Sequence, residues 1–590
     1  MIQSNYYEDN PDIQMHVDRF IDWEEVVRLY EDGFRDAAAY ERTGDERLAM
    51  APHSTEEALD YYRSIFQAYG DLCGNEMSQL AQKMDQEGLK FESGTVTHPA
   101  EFANFFEKFH AAGLHPTSFQ RRYGGLGLPH VVKALSQELS YRADTSLSIA
   151  VGSVNLAAIM EAYASPEMSA EWLPKLIDNR YTVTMGLSEP DFGSDLPNVR
   201  TRAELIDGKW YLTGTKRFQT MACGVNGQPS AVLALARTGK TGGGARGLSF
   251  FLVEGKDIEI TGIEKKLGLK ASATCEVAFE KSPAHLIGEE GHGLTKYVIG
   301  MLNGARMSVA SQGAGMATAA YFEARKYANE RIQFGKPIAD IPAVARMLRR
   351  MEREIAAMRC LMVEAALSVD RYHWRMLHLR EDGKSEREIK NDSAIRQGEK
   401  LASALTPMSK YYNSELVNQI TYDAIQVFGG AGYIEEYDVA RLYRDARIAN
   451  IYDGTTQIQI NAAIGGVVQG LSVAGNLRGY IEKLLEAPGI SQRSRDLFQE
   501  LQQIVEIYRG LDAPTREELS FEVVESCTRL LNGLFLEKTA GKLEGADADH
   551  RFEMAREYIV DSAGILARNR IRLQAATENE RAHRDQKRSA

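Results

Sequence analysis

The first candidate for chemistry is a polar segment that follows a predicted strand. Residues 188–195 read SEPDFGSD, and they come directly after the apolar run VTMGL at 183–187. Small and hydroxyl-bearing residues at the end of a strand offer backbone N–H groups and hydroxyls to a flat or anionic ligand. The same residues are typical of a polar turn, and for this segment by itself the turn is the favoured interpretation. A ligand site here therefore depends on other segments of the chain.

A second candidate is a single carboxylate, Asp453, in the short segment Tyr452-Asp453-Gly454-Thr455. A carboxylate acts as a general base when a substrate places a proton within its reach. An aspartate before glycine is also an ordinary turn residue. Both interpretations are open from these residues alone.

The motifs of several other sites are missing. The segments 291–293 (GHG) and 313–315 (GAG) lack the third glycine of a dinucleotide-binding turn, and no GxxxxGK[ST] motif occurs, which disfavours a Rossmann domain and a P-loop. The 12 histidines form no HExxH motif and the 5 cysteines form no CxxC pair. Neither a metal site nor a disulfide framework is indicated, and we expect buried, reduced thiols.

Size and charge limit the partners of the chain. Its 590 residues exceed one small domain, and the formal net charge is −13. No block of Lys or Arg is long enough to follow a phosphate backbone, so we expect no nucleic-acid partner. No uninterrupted apolar run is long enough for a bilayer, and the acidic first residues lack the pattern of a secretory signal. We therefore expect a cytoplasmic protein without a transmembrane segment.

The elements that must position these segments change along the chain. Helical texture prevails from about 18 to 180, and short alternating runs of β-branched and aromatic residues follow up to about 286. Beyond residue 291, apolar residues recur at alternating steps of four and three, as in a helix bundle: Val344, Leu348, Met351, Ile355, Met358, Met362 and Ala365. The highly charged stretch 371–400 favours a solvated insertion over a packed helix, and amphipathic helices return after residue 469.

The pattern predicts four regions: a helical domain at 1–180, a β domain at 181–290, a helical bundle at 291–468 with a charged insertion near 371–400, and a C-terminal helical extension at 469–590. The fold class is mainly α with a central β domain. Segregation of strands from helices argues against a doubly wound parallel sheet.

Further segments, taken in order, carry a resemblance to a known family. They read GTKRFQT (214–220), KLG (266–268), ERIQFGKPI (330–338), QVFGGAGY (426–433), RDARI (444–448) and IYDGTTQIQ (451–459). Together with 188–195, they resemble the flavin-dependent acyl-CoA dehydrogenases from about Leu114 to Ala463. The opening YEDNPDI (7–13), the charged insertion and the C-terminal helices resemble the long branch that includes 3-(methylthio)propanoyl-CoA dehydrogenase.

The resemblance implies an architecture, a cofactor and partners. The expected fold is an N-terminal helical domain, a β barrel and a four-helix bundle, followed here by the C-terminal extension. The expected cofactor is FAD, the expected substrate is an acyl-CoA, and the electrons are expected to leave through an electron-transfer flavoprotein. Contacts between a subunit and its neighbour's FAD imply a homodimer or homotetramer.

The resemblance also implies individual residue roles. Leu187 and Ser188 are expected at the pyrimidine edge of the flavin, and Ser194 near the FAD phosphates or the CoA chain. Phe218, where the family usually has Trp, and Thr220 are expected to flank the isoalloxazine. The residues implied on a neighbouring subunit's FAD are Arg331, Gln333, Phe334, Gln426, Gly429 and Gly430, with Thr455 and Gln457 also on FAD. The residues implied to contact substrate are Ser194, Asn303, Arg306, Tyr452, Asp453 and Gly454.

The implied chemistry centres on Asp453, with Arg306 supporting its pocket. In the family motif Ile-Tyr-Glu-Gly-Thr the glutamate removes the α-proton of the thioester, while the β-hydride, or a vinylogous hydride, passes to FAD N5. Asp453 stands at that glutamate's position, and its own N–H is implied as a donor to the thioester oxygen. Aspartate is one methylene shorter, which draws the carboxylate back by ~1.5 Å. The position used for the base in another branch is Ala305, and Asn303 replaces a common aspartate.

Three hypotheses account for this aspartate. It is the base for a bulky or alicyclic acyl-CoA, as in dehydrogenases of cyclohexanecarboxyl-CoA-like thioesters. Alternatively, the chain is a flavin oxidase resembling nitroalkane oxidases of the same superfamily, which also use an aspartate. In the third hypothesis, dehydrogenation is lost and the chain is a non-catalytic scaffold that binds flavin and acyl-CoA.

Overall fold

The computed structural model describes residues 1–239 and 243–589, and the side chains of 1–239 and 243–581. The described chain divides into two units, each built from separate stretches of sequence. Unit 1 comprises Met1–Asp9, Trp23–Ser308 and Gly430–Ile448. Unit 2 comprises Asn10–Asp22, Val309–Gly429 and the chain from Ala449 onward. The four predicted domain boundaries remain predictions.

Helices dominate the described residues. The α-helices are α1 (Pro11–Met15), α2 (Trp23–Glu31), α3 (Arg35–Thr43), α4 (Thr55–Asp71), α5 (Ser78–Glu87), α6 (Ala100–Ala111), α7 (His130–Ala143), α8 (Thr145–Gly152), α9 (Ile159–Tyr163), α10 (Pro166–Asp178), α11 (Ile299–Glu330), α12 (Pro342–Glu381), α13 (Glu386–Asn391), α14 (Ser393–Phe428), α15 (Asp438–Ala446), α16 (Thr456–Gly470), α17 (Asn476–Leu485), α18 (Gln492–Gly510), α19 (Ala513–Glu518), α20 (Ser520–Ala540) and α21 (Gly545–Ser589).

The central part of unit 1 is a closed β barrel. The strands among the described residues are β1 (Lys90–Glu92), β2 (Thr95–Thr97), β3 (Thr182–Gly186), β4 (Arg202–Ile206), β5 (Lys209–Thr220), β6 (Ser230–Arg237), β7 (Leu248–Glu254), β8 (Glu259–Ile263), β9 (Thr274–Ile287), β10 (Ile332–Gln333) and β11 (Lys336–Pro337). Neighbouring strands pair in the order β6-β4-β5-β9-β7, and β7 pairs with β6, which closes the barrel. Strand β3 pairs in parallel with β6, and β8 pairs with β9. The predicted fold class, mainly α with a central β barrel, is confirmed.

Alternation of side chains explains how the barrel buries its interior. In β9, Cys275, Val277 and Phe279 are buried, whereas their neighbours are partly exposed, as a strand with one face on a core requires. On the outside of the sheet, Trp172 and Leu176 of α10 belong to one apolar core with strand residues. Unit 1 therefore consists of helices and a barrel that share this core.

Unit 2 is helical, and its predicted seam is buried. Pro342 occupies the first turn of α12, where a missing N–H costs nothing. Met351, Met358 and Met362 are each fully buried along that helix. Helices α12, α14, α16 and α20 pack against one another, so the C-terminal extension joins the bundle.

The N-terminal segment of unit 2 is held by a buried ionic cluster. The carboxylate of Asp12 pairs with Arg551 of α21 at 2.6 Å and also with Arg359 of α12. Burial by itself would raise the pKa of Asp12, but the two guanidinium groups hold it well below its usual range. The segment Asn10–Asp22 is thus bonded both to the bundle and to the C-terminal extension within unit 2.

The expectation of an unpacked insertion at 371–400 is wrong. Helix α12 continues to Glu381, α13 follows, and α14 begins at Ser393. The sequence carries the necessary signals: a capping box of Ser385 with Glu388, and Asp392 as the N-cap of α14. Apolar residues buried within this charged stretch are Trp374, Met376, Leu377, Ile389 and Ile395. The charges that suggested a solvated excursion occupy the outer faces of these helices.

One stretch of the described residues, Thr145–Tyr163, is long and apolar enough by composition to cross a membrane. It contains α8, a 3-10 segment at Ser153–Ala158, and α9. Val154, Ala157 and Met160 from this stretch belong to the core of unit 1, and 56% of its apolar window is buried. Burial of this kind is what a core helix of a folded domain shows.

Candidate active site

The loop after β3 is held by a buried ion pair in unit 1. Lys216 Nζ donates to the Leu187 carbonyl at 3.0 Å and to Glu189 Oε1 at 2.9 Å. The Glu189 carboxylate also accepts from the backbone N–H groups of Arg200 at 2.6 Å and Thr201 at 2.8 Å. Burial lowers the pKa of Lys216 to about 8, although Glu189 opposes the shift. The pair and its backbone partners fix the position of Leu187.

Phe218 and Thr220 lie at the end of β5 beside that loop. The register of β5 and β9 shifts between Lys216 and Gln219, so Phe218 sits in a β-bulge with φ +65°. Its ring is 56% exposed, and the Arg217 guanidinium lies 4.9 Å from the ring centroid. The backbone N–H of Arg217 donates to the Ser188 carbonyl at 2.9 Å. The bulge is therefore bonded to the loop that carries Leu187 and Ser188.

Ser194 lies further along the same loop. Glu189 and Phe192 exchange backbone hydrogen bonds at 2.9 and 3.1 Å, which closes a small turn. Ser194 follows that turn and is exposed. Its hydroxyl is accessible to a ligand, as its predicted role requires.

Asn303 and Arg306 come together on the first part of α11. Arg306 Nη1 donates to Asn303 Oδ1 at 2.7 Å, and both side chains are half-buried. Burial lowers the pKa of Arg306 from its usual value. The neighbouring Ala305 is buried and supplies no carboxylate, so this helix lacks a base at the alternative position.

The segment that carries Asp453 is a tight loop before α16 in unit 2. Asp453 has φ +52° and Gly454 has φ +90°, so both residues adopt the left-handed conformation. Glycine suits position 454 because L side chains rarely adopt φ +90°, and an added Cβ would also lie 2.6 Å from Gln459 Nε2. Gln459 Nε2 donates to the carbonyls of Asp453 at 3.1 Å and Gly454 at 3.0 Å.

A buried lysine holds the same loop from the other side. Lys410 of α14 is fully buried, and its Nζ donates to the carbonyls of Tyr452 at 3.1 Å and Gly454 at 2.7 Å. The Asp453 side chain is half-buried. Burial raises the pKa of the Asp453 carboxyl, and the positive charge of Lys410 acts in the opposite direction. The loop thus presents a partly desolvated carboxyl beside an ammonium.

Two further side chains fix the ends of the loop. Glu415 of α14 accepts from Asn450 Nδ2 at 3.0 Å and also from the hydroxyl of Thr456. The hydroxyl of Tyr452 donates to Gln312 Oε1 of α11. The loop is therefore bonded at its start, its middle and its end.

A hairpin and a glycine pair occupy neighbouring helix ends. The ring of Tyr327 near the end of α11 stacks on Phe428 at the end of α14, with centroids 4.2 Å apart and an interplanar angle of 17°. The hairpin of β10 and β11 follows α11, and Phe334 at its tip has φ +53° and is 91% exposed. Arg331 and Gln333 are exposed on this hairpin, and Gln426 and Gly429 are exposed near Phe428.

Thr455 and Gln457 flank the start of α16. Thr455 is the N-cap residue and is half-buried. Gln457 is exposed, and its Nε2 donates to Asn461 Oδ1 at 2.9 Å and to Ser520 Oγ of α20 at 3.3 Å. A contact of Gln457 with FAD would compete with these bonds.

The predicted residues divide between the two units. Unit 1 contains Leu187, Ser188, Ser194, Phe218, Thr220, Asn303, Arg306 and Gly430. Unit 2 contains Arg331, Gln333, Phe334, Gln426, Gly429, Tyr452, Asp453, Gly454, Thr455 and Gln457. Within unit 1 the bonds described above connect the Leu187 loop with Phe218, and Asn303 with Arg306. Within unit 2, bonds to Glu415 connect Asn450, at the start of the loop that carries Tyr452, Asp453 and Gly454, with Thr456 at its end.

Glu189, Lys216 and Gln459 lie within the motif segments, but the motifs did not indicate which residues hold these loops. The residues that hold them are Lys216 and Glu189 in unit 1, and Lys410, Glu415, Gln459 and Gln312 in unit 2. One signal was present for Lys410, because it stands alone as a charge in the stretch 401–414, LASALTPMSKYYNS. A single lysine among residues of a bundle core requires a specific partner.

The exposed aromatic, hydroxyl and guanidinium groups at the predicted positions are of the types that bind FAD. An exposed phenyl face at Phe218 and the Thr220 hydroxyl fit a flavin ring, and the exposed Arg331 guanidinium fits a diphosphate. A Cβ placed on Gly429 or Gly430 would meet no heavy atom within 4 Å, so the backbone there is open to a ligand. By contrast, no group of three or more His, Cys, Asp or Glu side chains in the described part of the chain is arranged to hold a metal ion.

Three family models match the chain in order. Residues 61–180 match the acyl-CoA dehydrogenase N-terminal domain, 184–282 the middle domain, and 291–380 with 390–466 the C-terminal domain. The chain belongs to the acyl-CoA dehydrogenase family. The resemblance carried by the sequence motifs is thereby confirmed, and the break between 380 and 390 lies at the end of α12 and the start of α13.

Three curated relatives span most of the acyl-CoA dehydrogenase region. The 3-methylmercaptopropionyl-CoA dehydrogenase of Ruegeria pomeroyi is 34% identical over 70% of this chain and 71% of its own length. The cyclohexane-1-carbonyl-CoA dehydrogenase of Geobacter metallireducens is 32% identical over 59% of this chain and 84% of its own. Subunit CarC of the caffeyl-CoA reductase-Etf complex of Acetobacterium woodii is 32% identical over 62% of this chain and 89% of its own.

A solved structure shares the fold over a longer stretch. The acyl-CoA dehydrogenase of Bacillus anthracis, complexed with FAD, superposes with a TM-score of 0.72 at 20% identity and covers 88% of each chain. By its family, the chain is an FAD-dependent oxidoreductase related to dehydrogenases of acyl-CoA thioesters.

Proposed function

We propose that this acyl-CoA dehydrogenase uses Asp453 as the base that removes the α-proton of a bulky or alicyclic CoA thioester. One observation carries the proposal: the Asp453 carboxyl is half-buried on a loop whose carbonyls are held by Lys410 and Gln459. A fixed, partly desolvated carboxylate is a strong base, because water no longer stabilises its charge. Asp453 also occupies the position of the family's catalytic glutamate.

The proposed step removes a proton from Cα and a hydride from Cβ or, in a 1,4 desaturation, from the vinylogous carbon. The carboxylate of Asp453 takes the proton from Cα, and the electron pair of that C–H bond forms the new double bond. Bound FAD supplies the acceptor for the hydride that leaves Cβ, or the vinylogous carbon in a 1,4 desaturation. The N–H of Asp453 donates to the thioester oxygen and stabilises the charge that develops there. Arg306 is the second residue proposed to take part, and within unit 1 its guanidinium donates to Asn303 Oδ1 at 2.7 Å.

The choice of substrate follows from the shorter side chain. Aspartate places its carboxylate ~1.5 Å further back than glutamate, so the substrate must bring its proton closer. A ring or a branch at Cα widens the acyl group next to the base. The relative named cyclohexane-1-carbonyl-CoA dehydrogenase supports a ring-bearing acyl group as the first class to test.

The remaining parts of the proposal concern assembly and electron transfer. The exposed Arg331, Gln333 and Phe334 are proposed to contact the FAD of a second copy, which requires a homodimer or homotetramer. An electron-transfer flavoprotein is the proposed electron acceptor, supported by the relative that belongs to an Etf complex. We propose a cytoplasmic location. Sedimentation measurements on the wild type and on Arg331→Ala test the assembly, and the variant is expected to retain less FAD.

The deciding experiment follows flavin absorbance under anaerobic conditions. Purified holoenzyme is mixed with linear, branched, aromatic and alicyclic CoA thioesters, and bleaching by a branched or alicyclic ester is expected. Asp453→Asn is expected to keep the flavin absorbance and to slow bleaching by about 10²-fold or more. Asp453→Glu is the matched control, because it restores the longer carboxylate and is expected to favour linear thioesters.

The outcomes separate the competing hypotheses. Bleaching of Asp453→Asn at the parental rate contradicts the assignment of the base. Peroxide formation in air, with poor transfer to an artificial acceptor, identifies an oxidase. Flavin that binds but is not bleached by any thioester of the panel identifies a non-catalytic binding protein.

A further inference from the structure

Lys410 is a charged residue in the interior of unit 2. It lies on α14 and is fully buried. Its neighbour Ser409 is also fully buried, and Tyr411 is almost fully buried. An ammonium loses its favourable hydration in such a place, which destabilises the fold unless other interactions replace it. The residue must therefore gain strong interactions in the folded state.

Its hydrogen bonds go to the two peptide groups on either side of the proposed base. Nζ donates to the carbonyl of Tyr452 at 3.1 Å and to the carbonyl of Gly454 at 2.7 Å. Asp453 is the residue between them, and it has φ +52°. The ammonium thus holds the backbone on both sides of a residue in a strained conformation.

Gln459 provides an internal comparison for Lys410. It is also fully buried, and its amide donates to the carbonyls of Asp453 and Gly454. Both side chains restrain the same loop through carbonyl oxygens, but only Lys410 carries a charge. The mechanical and electrostatic contributions can therefore be separated by changing one residue or the other.

The electrostatic effect reaches the carboxyl of Asp453. Carbonyl oxygens are neutral acceptors, so the two hydrogen bonds to Tyr452 and Gly454 do not neutralise the ammonium. That charge lowers the pKa of Asp453 against the larger effect of burial, which raises it. Other ionisable groups near this loop include Glu415, which accepts from Asn450 and Thr456, and the Tyr452 phenol, which donates to Gln312. Tyr411 and Tyr412 follow Lys410 on α14. Among the described residues, Lys410 is the charged group that acts on Asp453.

We propose that Lys410 is the positioning residue of the base loop, where it fixes the backbone around Asp453 and stabilises its carboxylate with a positive charge. The inference rests on the proposed role of Asp453 as base. Lys410 touches neither the reacting atoms nor the substrate in this scheme. It acts through the carbonyls of Tyr452 and Gly454 and through its field.

The test compares variants that remove the charge with one that removes only hydrogen bonds. Lys410→Met removes charge and donors, Lys410→Gln removes the charge but keeps an amide donor, and Gln459→Met removes neutral donors. The rate of anaerobic flavin reduction by the best thioester is measured from pH 5 to 9. The carboxyl of Asp453 is titrated separately by infrared difference spectroscopy against Asp453→Asn, in protein without substrate.

Both Lys410 variants are expected to move the pH midpoint upward by about one unit, which makes reduction roughly tenfold slower below the midpoint. Gln459→Met is expected to slow reduction at every pH without moving the midpoint. Lys410→Arg restores a positive charge and is expected to return the midpoint toward that of the parent.

Failures of the two proposals are distinguishable. An unchanged midpoint in Lys410→Gln, or an equal shift in Gln459→Met, overturns the role of the charge. If no thioester reduces the flavin of the parent, the proposed function fails, and the infrared titration still decides whether Lys410 controls the Asp453 carboxyl. If Lys410→Met does not fold, Lys410→Gln supplies the same comparison with a donor retained.

Discussion

Two loops of this enzyme are each held by a buried lysine that donates to backbone carbonyls. The group on which the charge of the lysine acts differs between the two loops. In unit 1, Lys216 bonds the Leu187 carbonyl and has a carboxylate partner, Glu189, at 2.9 Å. In unit 2, Lys410 bonds two carbonyls of the Asp453 loop, and its charge acts on the proposed base itself. The first lysine is neutralised by a partner with no proposed chemical role. The second lysine influences a group whose protonation state decides whether the reaction proceeds.

The comparison shows how a buried ammonium can serve either structure or chemistry. A buried ion pair contributes little net stability by itself, yet removing one partner is costly because the other charge is left buried. Loss of Lys216 is therefore expected to appear in folding and in flavin retention. Loss of Lys410 is expected to appear in the pH dependence of the reaction.

The largest expected effect on stability comes from Lys216→Met. The substitution leaves the Glu189 carboxylate buried without its cation, which costs about 3 to 5 kcal/mol of unfolding free energy. The lower end is expected, because Glu189 keeps the N–H groups of Arg200 and Thr201. Denaturant unfolding and bound FAD per subunit measure the outcome. The control is Lys209→Met, an exposed lysine on the same strand. If Lys216→Met and Lys209→Met unfold with the same free energy, the proposed structural role of Lys216 is contradicted.

A smaller effect is expected from Tyr452→Phe. The change removes the hydroxyl that donates to Gln312 and leaves a buried acceptor without that donor, which costs about 1 to 3 kcal/mol. The Asp453 loop then keeps Lys410 and Gln459, so a moderate loss of flavin-reduction rate is expected, with the pH midpoint unchanged. Thermal unfolding and stopped-flow reduction measure both quantities. Tyr422→Phe, with a ring that is 48% exposed, is the matched control. A shift of the midpoint in Tyr452→Phe would show that the charge of Lys410 is not the factor that sets it.

The smallest expected effect is a pH dependence of stability at Asp453. Burial raises the pKa of this carboxyl, so above its ordinary value of 3.8 the folded state holds the proton more tightly than the unfolded state. Its contribution to stability therefore falls as pH rises from that value through the raised pKa, and it is constant at higher pH. Asp453→Asn lacks this decrease and is expected to gain stability relative to the parent across the same interval. Unfolding curves from pH 4 to 8 test the sign, and a difference that stays constant with pH contradicts it.

The fold was largely predictable because its signals are local. Alternation in residues such as Cys275, Val277 and Phe279 predicted the β domain, and the methionine seam of α12 predicted the bundle. The prediction for the stretch 371–400 was wrong because it relied on the high content of charged residues and not on the positions of the apolar and capping residues. Its buried apolar residues, Trp374 and Ile389 among them, are few, and the caps at Ser385 and Asp392 define helices that charge content alone conceals.

Residues of the candidate site were predictable from the sequence only where they lie in a motif that resembles the family. Phe218 and Thr220 were indicated by their segment, and the structure adds the bulge and the bond from Arg217 to Ser188. Glu189, Lys216 and Gln459 lie within indicated segments, but the residue types do not reveal that Lys216 and Gln459 donate to backbone carbonyls or that Glu189 accepts from backbone N–H groups. The bond from Lys216 to the Leu187 carbonyl joins residues 29 positions apart, and a sequence pattern does not show which remote residues meet in the fold.

By itself, the sequence determined the order of the motifs, the family and the presence of an aspartate at position 453, the proposed base. It did so because residue types and short spacings are properties of the chain. Only the tertiary structure decided that Lys410 lies against the Asp453 loop and that the segment Asn10–Asp22 belongs to unit 2. The strength of a charge or a hydrogen bond depends on burial and on distance in space, and both arise only when remote parts of the chain pack together.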